Sequence, residues 1–230
     1  MGFDGAFGPR LNVGKVSMSE NRIRRTQEQR TAQTRLALIE GAISAIYELG
    51  YTGANTSSIA DHAGVSRGAL LHQFGTRAAL MADVVRHVFD SEMAEYEQVR
   101  RSTGVGDQLY DWPRLLWKVL ARPSGLAVLE ILQATRSDLE LAEFVVPMQE
   151  EVERAALDVM RGAFGGDEAL ARSVMRLMVW SVRGLSIAER YLPHRAENDT
   201  AVDLLAGLLK LAAPDGTMQA LAKVAHAKDA

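Results

Sequence analysis

The 230-residue sequence contains no cysteine. That excludes a disulfide framework, thiolate metal sites and cysteine nucleophiles, and it accords with a reducing compartment. No apolar run approaches the roughly 20 residues that a membrane span requires, and the opening residues lack a signal peptide's apolar core. A cytoplasmic protein without membrane contact is expected. Also missing are alternating apolar runs bounded by hairpin turns, so strands are not expected. There is no Walker loop, no GxGxxG following a strand and no HExxH. The five histidines (His62, His72, His87, His194 and His226) show no i, i+3 or i, i+4 ligand spacing. No catalytic constellation, metal site or cofactor is therefore expected, and the chain does not read as an enzyme. Net charge is a modest −3, but unevenly placed: the first 77 residues hold nine Lys/Arg against six Asp/Glu, leaving an acidic remainder. A basic front end on an acidic body suits a nucleic-acid-binding head on a module that does not bind nucleic acid.

What the sequence does contain is helical periodicity almost throughout, which predicts an all-α protein. Residues 1–25, rich in Gly, Ser, Asn and Arg without periodicity, read as a disordered basic arm. A first helix is predicted over Thr26–Leu49, with Leu36, Ile39, Ile43 and Ile46 forming its apolar face beside Ala42 and Ala45, and with Gly50 as its stop. A short helix follows over Thr56–Ala63, with Thr56 or Ser57 as cap. Another runs from Ser66 to about Gln73, and a fourth, capped by Thr76, extends to about Arg101. Further helices are expected near 107–121, 124–136, 138–163, 167–191 and 199–212. Pro147 is expected to kink its helix, and 214–230 reads as a flexible tail.

Two short helices joined by a tight turn, behind a longer one, form a helix-turn-helix candidate. The chemistry of each position agrees. Ala63 is small enough for two helices to cross, Gly64 supplies the positive φ of the turn, and Ile59 and Val65 fill the wedge between the helices. Ser66 satisfies free N–H groups at the start of the second helix, whose positive dipole end suits phosphate. Gly68 allows close approach to DNA.

The stretch Gly50–Tyr51–Thr52–Gly53–Ala54–Asn55–Thr56–Ser57–Ser58–Ile59–Ala60–Asp61–His62–Ala63–Gly64–Val65–Ser66–Arg67–Gly68–Ala69–Leu70, continuing through Leu71–His72–Gln73–Phe74–Gly75–Thr76–Arg77 to Leu80, resembles the signature of TetR-family (TetR/AcrR-like) transcriptional repressors. It covers about a fifth of the chain. The resemblance implies a three-helix DNA-binding domain, here 26–80, linked by a long helix to a helical effector-binding and dimerisation domain, here 81–213. It also implies a homodimer that binds a palindromic double-stranded operator and is released by a small molecule. Leu71 stands where the family usually has Tyr, Gln73 where it has His, and Arg77 where it has Lys. Thr56, Ser66, Gln73 and Arg77 are the candidate phosphate contacts. Arg67, Ala69, Leu71 and His72 lie where base edges are read, with Arg67 to guanine the sharpest assignment, Leu71 suited to a thymine methyl or to packing, and Gly68 the DNA-binding position that lets the helix come close. Arg22, Arg24 and Arg25 could follow a minor groove or form only a basic tail.

The resemblance assigns the dimer interface to the helices near 167–191 and 199–212. The first is apolar on more than one face (Val174, Met175, Leu177, Met178, Trp180, Val182 and Leu185) and the second is leucine-rich (Leu204, Leu205, Leu208, Leu209 and Leu211). Completion of a monomer core would leave the same pattern. Trp117, Leu120, Phe144, Met148, Met178 and Arg183 are the candidate lining of a pocket for a largely apolar effector. Arg183, a charge on an apolar helix, calls for a carboxylate from Glu130, Glu143 or a ligand. A helical adaptor or enzyme that keeps this fold without site-specific DNA binding is the alternative reading.

Overall fold

Helices account for the regular structure of residues 27–225, the part of the chain that the computed structural model describes. They are α1 (Gln27–Gly53), α2 (Thr56–Ala63), α3 (Arg67–Phe74), α4 (Arg77–Thr103), α5 (Trp112–Leu120), α6 (Pro123–Ala134), α7 (Leu139–Phe164), α8 (Glu168–Tyr191), α9 (Arg195–Ala212) and α10 (Met218–Ala225), with a 3-10 turn at Leu109–Asp111. No strand occurs among the described residues. The expected basic arm at 1–25 lies outside them.

Local chemistry sets the boundaries. Gly50, at φ 74° and ψ 165°, leaves the helical region and ends the regular part of α1, so the predicted stop is a true break. The cap of α2 is not Thr56 or Ser57 but Asn55, whose side chain accepts from the amides of Ser57 and Ser58. Asn suits this place because its short carbonyl reaches the second and third amides of the turn. Thr76 caps α4 by accepting from the Ala79 amide, and 27 residues make that helix about 40 Å long. Helix α7 runs unbroken through Pro147.

The buried side chains form two cores. The first joins α1, α2 and α3 to the first half of α4, as far as Val88, and to Ala127, Val128, Ile131, Leu141 and Val145 of α6 and α7. The second gathers Tyr96, α5, the end of α7, α8 and α9. The head's core continues past residue 80 into the body. On α1 the inward face contains Leu38, Ile39, Ala42, Ala45 and Ile46, while the expected Leu36 is 48% exposed. Helix α10 corrects the flexible tail assigned to 214–230: Met218 is fully buried in the second core, Leu221 nearly so, and only 226–230 fall outside the described residues.

Candidate nucleic-acid interface and body cavity

The head is an α1–α4 assembly that displays α3. Helix α1 crosses α2 where Gly41 faces Ala63; a Cβ on Gly41 would sit 2.8 Å from both the Cβ and the backbone nitrogen of Ala63. The crossing thus needs two small residues, and the sequence reading had found only one. Gly64 takes the left-handed conformation (φ 65°), and its amide reaches back to the carbonyls of Ala60 and Asp61. Ser66 caps α3 by accepting from the Ala69 amide at 3.2 Å. Ile59 and Leu70 are fully buried between the helices. At roughly 1.5–3 kcal/mol for each large side chain removed from water, these two do much to fix the angle of α3.

With Leu70 inward, the opposite face of α3 meets solvent. Arg67, Gly68, Leu71 and His72 are exposed beside the exposed Ser66. The spacings of four from Arg67 to Leu71, three from Gly68 to Leu71 and four from Gly68 to His72 place them in a stripe on one face. Ala69, Gln73 and Thr56 are half-buried at its edges. The stripe carries a fork of donors (Arg67), a donor or acceptor ring (His72), a methyl pair (Leu71) and a gap (Gly68). That mixture can read base edges in a major groove. On the neighbouring helix, the His62 ring is held by the Ser58 carbonyl at 2.7 Å and by Glu48 at 3.3 Å. These two contacts, the backbone one first, push its pKa up.

Arg77 departs from its expected role. Its Nε donates to the Ala54 carbonyl at 2.7 Å and its Nη2 to the Tyr51 carbonyl, and the guanidinium stacks 4.0 Å from the centre of the Tyr51 ring. The fork that was assigned to phosphate ties the α1–α2 loop to the start of α4. The same loop is held from the body side as well. The Tyr51 amide donates to Glu130 Oε2 at 2.7 Å, and the Tyr51 hydroxyl bonds to Asp138 Oδ2 at 3.2 Å. Glu130, one of the three partners considered for Arg183, serves this loop instead.

In the body, a cavity of about 340 Å³ lies between α4, α5, α7 and α8. Of the six expected lining residues, Leu120, Met178 and Arg183 face it; Trp117, Phe144 and Met148 do not. Trp117 donates its indole N–H to Asp199 at 2.6 Å and lies under Arg195. Phe144 is exposed, and Met148 packs on the first core. The walls are instead built by Met93, Met160, Met175 and Met178 with Phe89, Tyr96, Trp112 and Trp180. Three polar atoms on this lining are buried without hydrogen-bond partners: Glu92 Oε1, Tyr96 Oη and Arg183 Nη1. Burial raises the Glu92 carboxyl to about 7 against the pull of Arg183 and Arg122, raises the Tyr96 phenol, and lowers the Arg183 guanidinium. Glu92 and Tyr96 were missed because, at i and i+4 of a long exposed-looking helix, they read as surface residues.

Arrangement and chemistry together define a helix-turn-helix DNA-binding protein with a separate cavity in its helical body. Residues 38–84 match the family model described as bacterial regulatory proteins, tetR family. An uncharacterized HTH-type transcriptional regulator of Mycobacterium bovis is 26% identical over 189 residues, covering 80% of this chain and 97% of that relative. The HTH-type transcriptional regulator CymR of Pseudomonas putida is 41% identical over 58 residues, covering 25% of this chain and 29% of CymR. Among solved structures, a transcriptional regulator from Rhodococcus sp. Rha1 superposes with a TM-score of 0.57 at 21% identity, covering 77% of this chain and 96% of that one. The multidrug binding protein EbrR, solved in complex with imidazole, does so with 0.55 at 20% identity, over 78% and 92% of the two chains. The match to the tetR-family model thus covers the helix-turn-helix region, and the fold of the rest resembles that of transcriptional regulators. Its relatives are regulators rather than enzymes, and no helix among the described residues is long and apolar enough to cross a membrane.

Proposed function

We propose that the protein is a homodimeric repressor that binds a palindromic operator through α3 and leaves it when a small molecule fills the body cavity. The observation that carries this reading is the exposed stripe of α3, capped by Ser66 and presenting Arg67, Gly68, Leu71 and His72. Base contacts fall to Arg67, Leu71 and His72, close approach to Gly68 and Ala69, and phosphate to Ser66, Thr56 and Gln73 with the free amides of the helix starts. Arg77 supports this surface from behind.

Unpaired apolar faces on α8 and α9 support the dimer. Leu177, Trp180, Leu204 and Leu208 are each more than half exposed, and Leu211 is 82% exposed. So much apolar surface on two adjacent helices calls for a partner, and a second copy would form a four-helix interface. Two α3 helices would then enter successive major grooves about 34–36 Å apart, which requires a palindrome. That relatives include a multidrug binding protein supports the cavity as the effector site.

Fluorescence anisotropy against duplex from the chain's own upstream region, repeated across a salt series, tests the reading. Affinity should exceed that for random duplex and fall steeply and linearly on a log–log salt plot. Arg67→Ala should cost about 1–3 kcal/mol on the operator and relax one base step. Equal binding to operator and random DNA at every salt concentration would refute site-specific recognition. Deleting the gene should raise expression from the same region; a fall would mark an activator.

A further inference from the structure

Taking the body cavity as the effector site, as above, we propose that its ligand is an amphipathic monoanion: an apolar body carrying one carboxylate or comparable anionic head, held by Arg183 and Tyr96. Three features lead there. First, the cavity is largely hydrocarbon and thioether; Gln149, Glu153 and Arg176 also line it, but its unpartnered polar atoms are gathered on three residues. Glu92 and Tyr96 stand one helical turn apart on α4, Arg183 comes from α8, and each leaves an atom without a partner. A purely apolar ligand would seal these three atoms from water unsatisfied, and buried polar groups left so are costly. The ligand therefore has a polar head, and that head sits between α4 and α8.

Second, the sign of the head follows from which of the three charges is permanent. A guanidinium stays protonated at any physiological pH, and Arg183 is half-buried with its Nη1 sealed from water. Glu92 is its long-range counter-charge, yet the Glu92 carboxyl is pushed to about 7 by burial, so near neutrality it is a carboxylic acid about half of the time. The charged groups that act on it are Arg183, Arg122 and Glu95. Arg122 and Glu95 hold each other in a two-bond pair at 2.6 and 2.7 Å. The remaining charges on the lining, Glu153 and Arg176, cancel in a pair at 3.3 Å, while Arg172, which also reaches Glu153, is balanced by Glu168 at 2.7 Å. What is left facing the cavity is a permanent cation, a phenol donor and a carboxyl that can become a donor. All three suit an anion. A cationic head would have to sit beside Arg183 in a poorly screened site.

Third, an anion next to Arg183 makes the Glu92 carboxylate still harder to ionise, so binding near pH 7 draws a proton from the buffer onto Glu92. A cation would do the reverse and release one. The size of the cavity, about 340 Å³, is at the small end for ligand sites and fits a bicyclic or medium-chain body.

The test uses the full-length protein and two matched series: biphenyl-4-carboxylate, its carboxamide and biphenyl-4-methylammonium; and decanoate, decanamide and decylammonium below their aggregation limits. Trp112 and Trp180 line the cavity, so tryptophan fluorescence reports occupancy without DNA. In at least one series the acid should bind about tenfold or more tighter than the amide, as expected when a neutral hydrogen-bonded head becomes a charged one, with the ammonium weakest. Arg183→Met removes a charge with one buried, unpartnered nitrogen; it should fold, which circular dichroism checks, and should bring the acid down to the level of the amide. Calorimetry in two buffers of different ionisation enthalpy should show proton uptake with the acid at pH 7, lost in Glu92→Gln. The proposal is overturned if neither acid binds more tightly than its amide, whether or not anything binds, or if an ammonium wins. It is equally overturned if Arg183→Met keeps the preference. Operator anisotropy separates this from the effector reading: an acid that binds without releasing DNA leaves the proposal standing and removes release, whereas release by the ammonium does the opposite.

Discussion

Replacing Glu92 by Gln should stabilise the protein at high pH and do nothing at low pH. Glu92 is a half-buried carboxyl with Oε1 shut off from water, and its pKa rises from 4.5 to about 7 on folding, chiefly through desolvation. A folded pKa above the unfolded one means that folding favours the protonated form. The contribution of the group is then intact below pH 4.5 and is lost as pH rises through 7. The full difference of about 2.5 in pKa, at about 1.4 kcal/mol for each, is roughly 3 kcal/mol at pH 8. Gln has nearly the shape of the protonated acid and does not titrate, so it escapes that loss. For a chain of this size, about 2–4 °C per kcal/mol translates into a melting temperature some 6–12 °C higher for Glu92→Gln at pH 8. The Glu95–Arg122 pair and Arg183 are present in both proteins and cancel in the difference. Melting temperatures of both proteins by circular dichroism, taken from pH 4 to pH 8.5, give the whole curve: coincident at the acid end, diverging through pH 5–7, parallel above. Curves that stay parallel throughout would show that Glu92 does not titrate on folding. A wild type more stable than the variant at pH 8 would show that its attraction to Arg183 outweighs its desolvation, and the account of the cavity given above would fail with it.

Arg77→Lys keeps the charge but not the two-bond fork or the stacking on Tyr51, so it should lower stability by about 1–2 kcal/mol and weaken DNA binding through the head's geometry; full stability with a changed salt slope would return Arg77 to phosphate. Gly41→Val pushes a side chain into the Ala63 backbone and should cost about 2 kcal/mol or more by overpacking, read as a drop in thermal midpoint, while an unchanged midpoint would mean that the crossing is looser than described. Leu208→Glu on the exposed face of α9 should turn a dimer into a folded monomer in sedimentation velocity and remove operator binding together with it; a dimer that survives would place the interface elsewhere.

The head was legible because its signals are local. Gly64, Ser66 and Thr76 each announce a turn or cap through their own backbone chemistry, and the inward Ile59 follows from helical spacing. Where the sequence reading slipped, the deciding contact was distant. Asn55 displaced Thr56 as cap within a single turn, but Gly41 matters only because α2 crosses it, 22 residues further on. Arg77 looked like a phosphate ligand because nothing near it in sequence showed that two carbonyls of the α1–α2 loop were waiting for it. The cavity was the least legible part. Arg183 announced itself as a charge on an apolar helix, yet its companions come from α4, where Glu92 and Tyr96 sit among charged residues typical of a solvated face. Trp117 and Phe144, chosen for being large and apolar, went to an indole–carboxylate bond and to the surface. Composition picks out apolar residues, but only tertiary packing decides which of them surround empty space.

The same helix ties these observations together. Helix α4 places Arg77 on the α1–α2 loop and, 15 residues or about 22 Å further along, places Glu92 in the cavity. The loop is gripped from the other side by Glu130 and Asp138, through the amide and hydroxyl of Tyr51. Tyr51 is thus held at once by α4 and by the α6–α7 corner, and α3 is packed on the helices that this loop joins. A ligand can change DNA affinity only by binding one arrangement of these parts more tightly than another. Under the proposed ligand reading, a head group wedged between Glu92 and Arg183 would act on the spacing of α4 and α8. Moving α4 against α6 and α7 then cannot leave Tyr51 satisfied on both sides, because Arg77 travels with α4 while Glu130 and Asp138 do not. The cost falls on the loop behind α2 and α3, which makes Tyr51, rather than any residue that touches DNA or ligand, the point where the two halves of the molecule would exchange free energy.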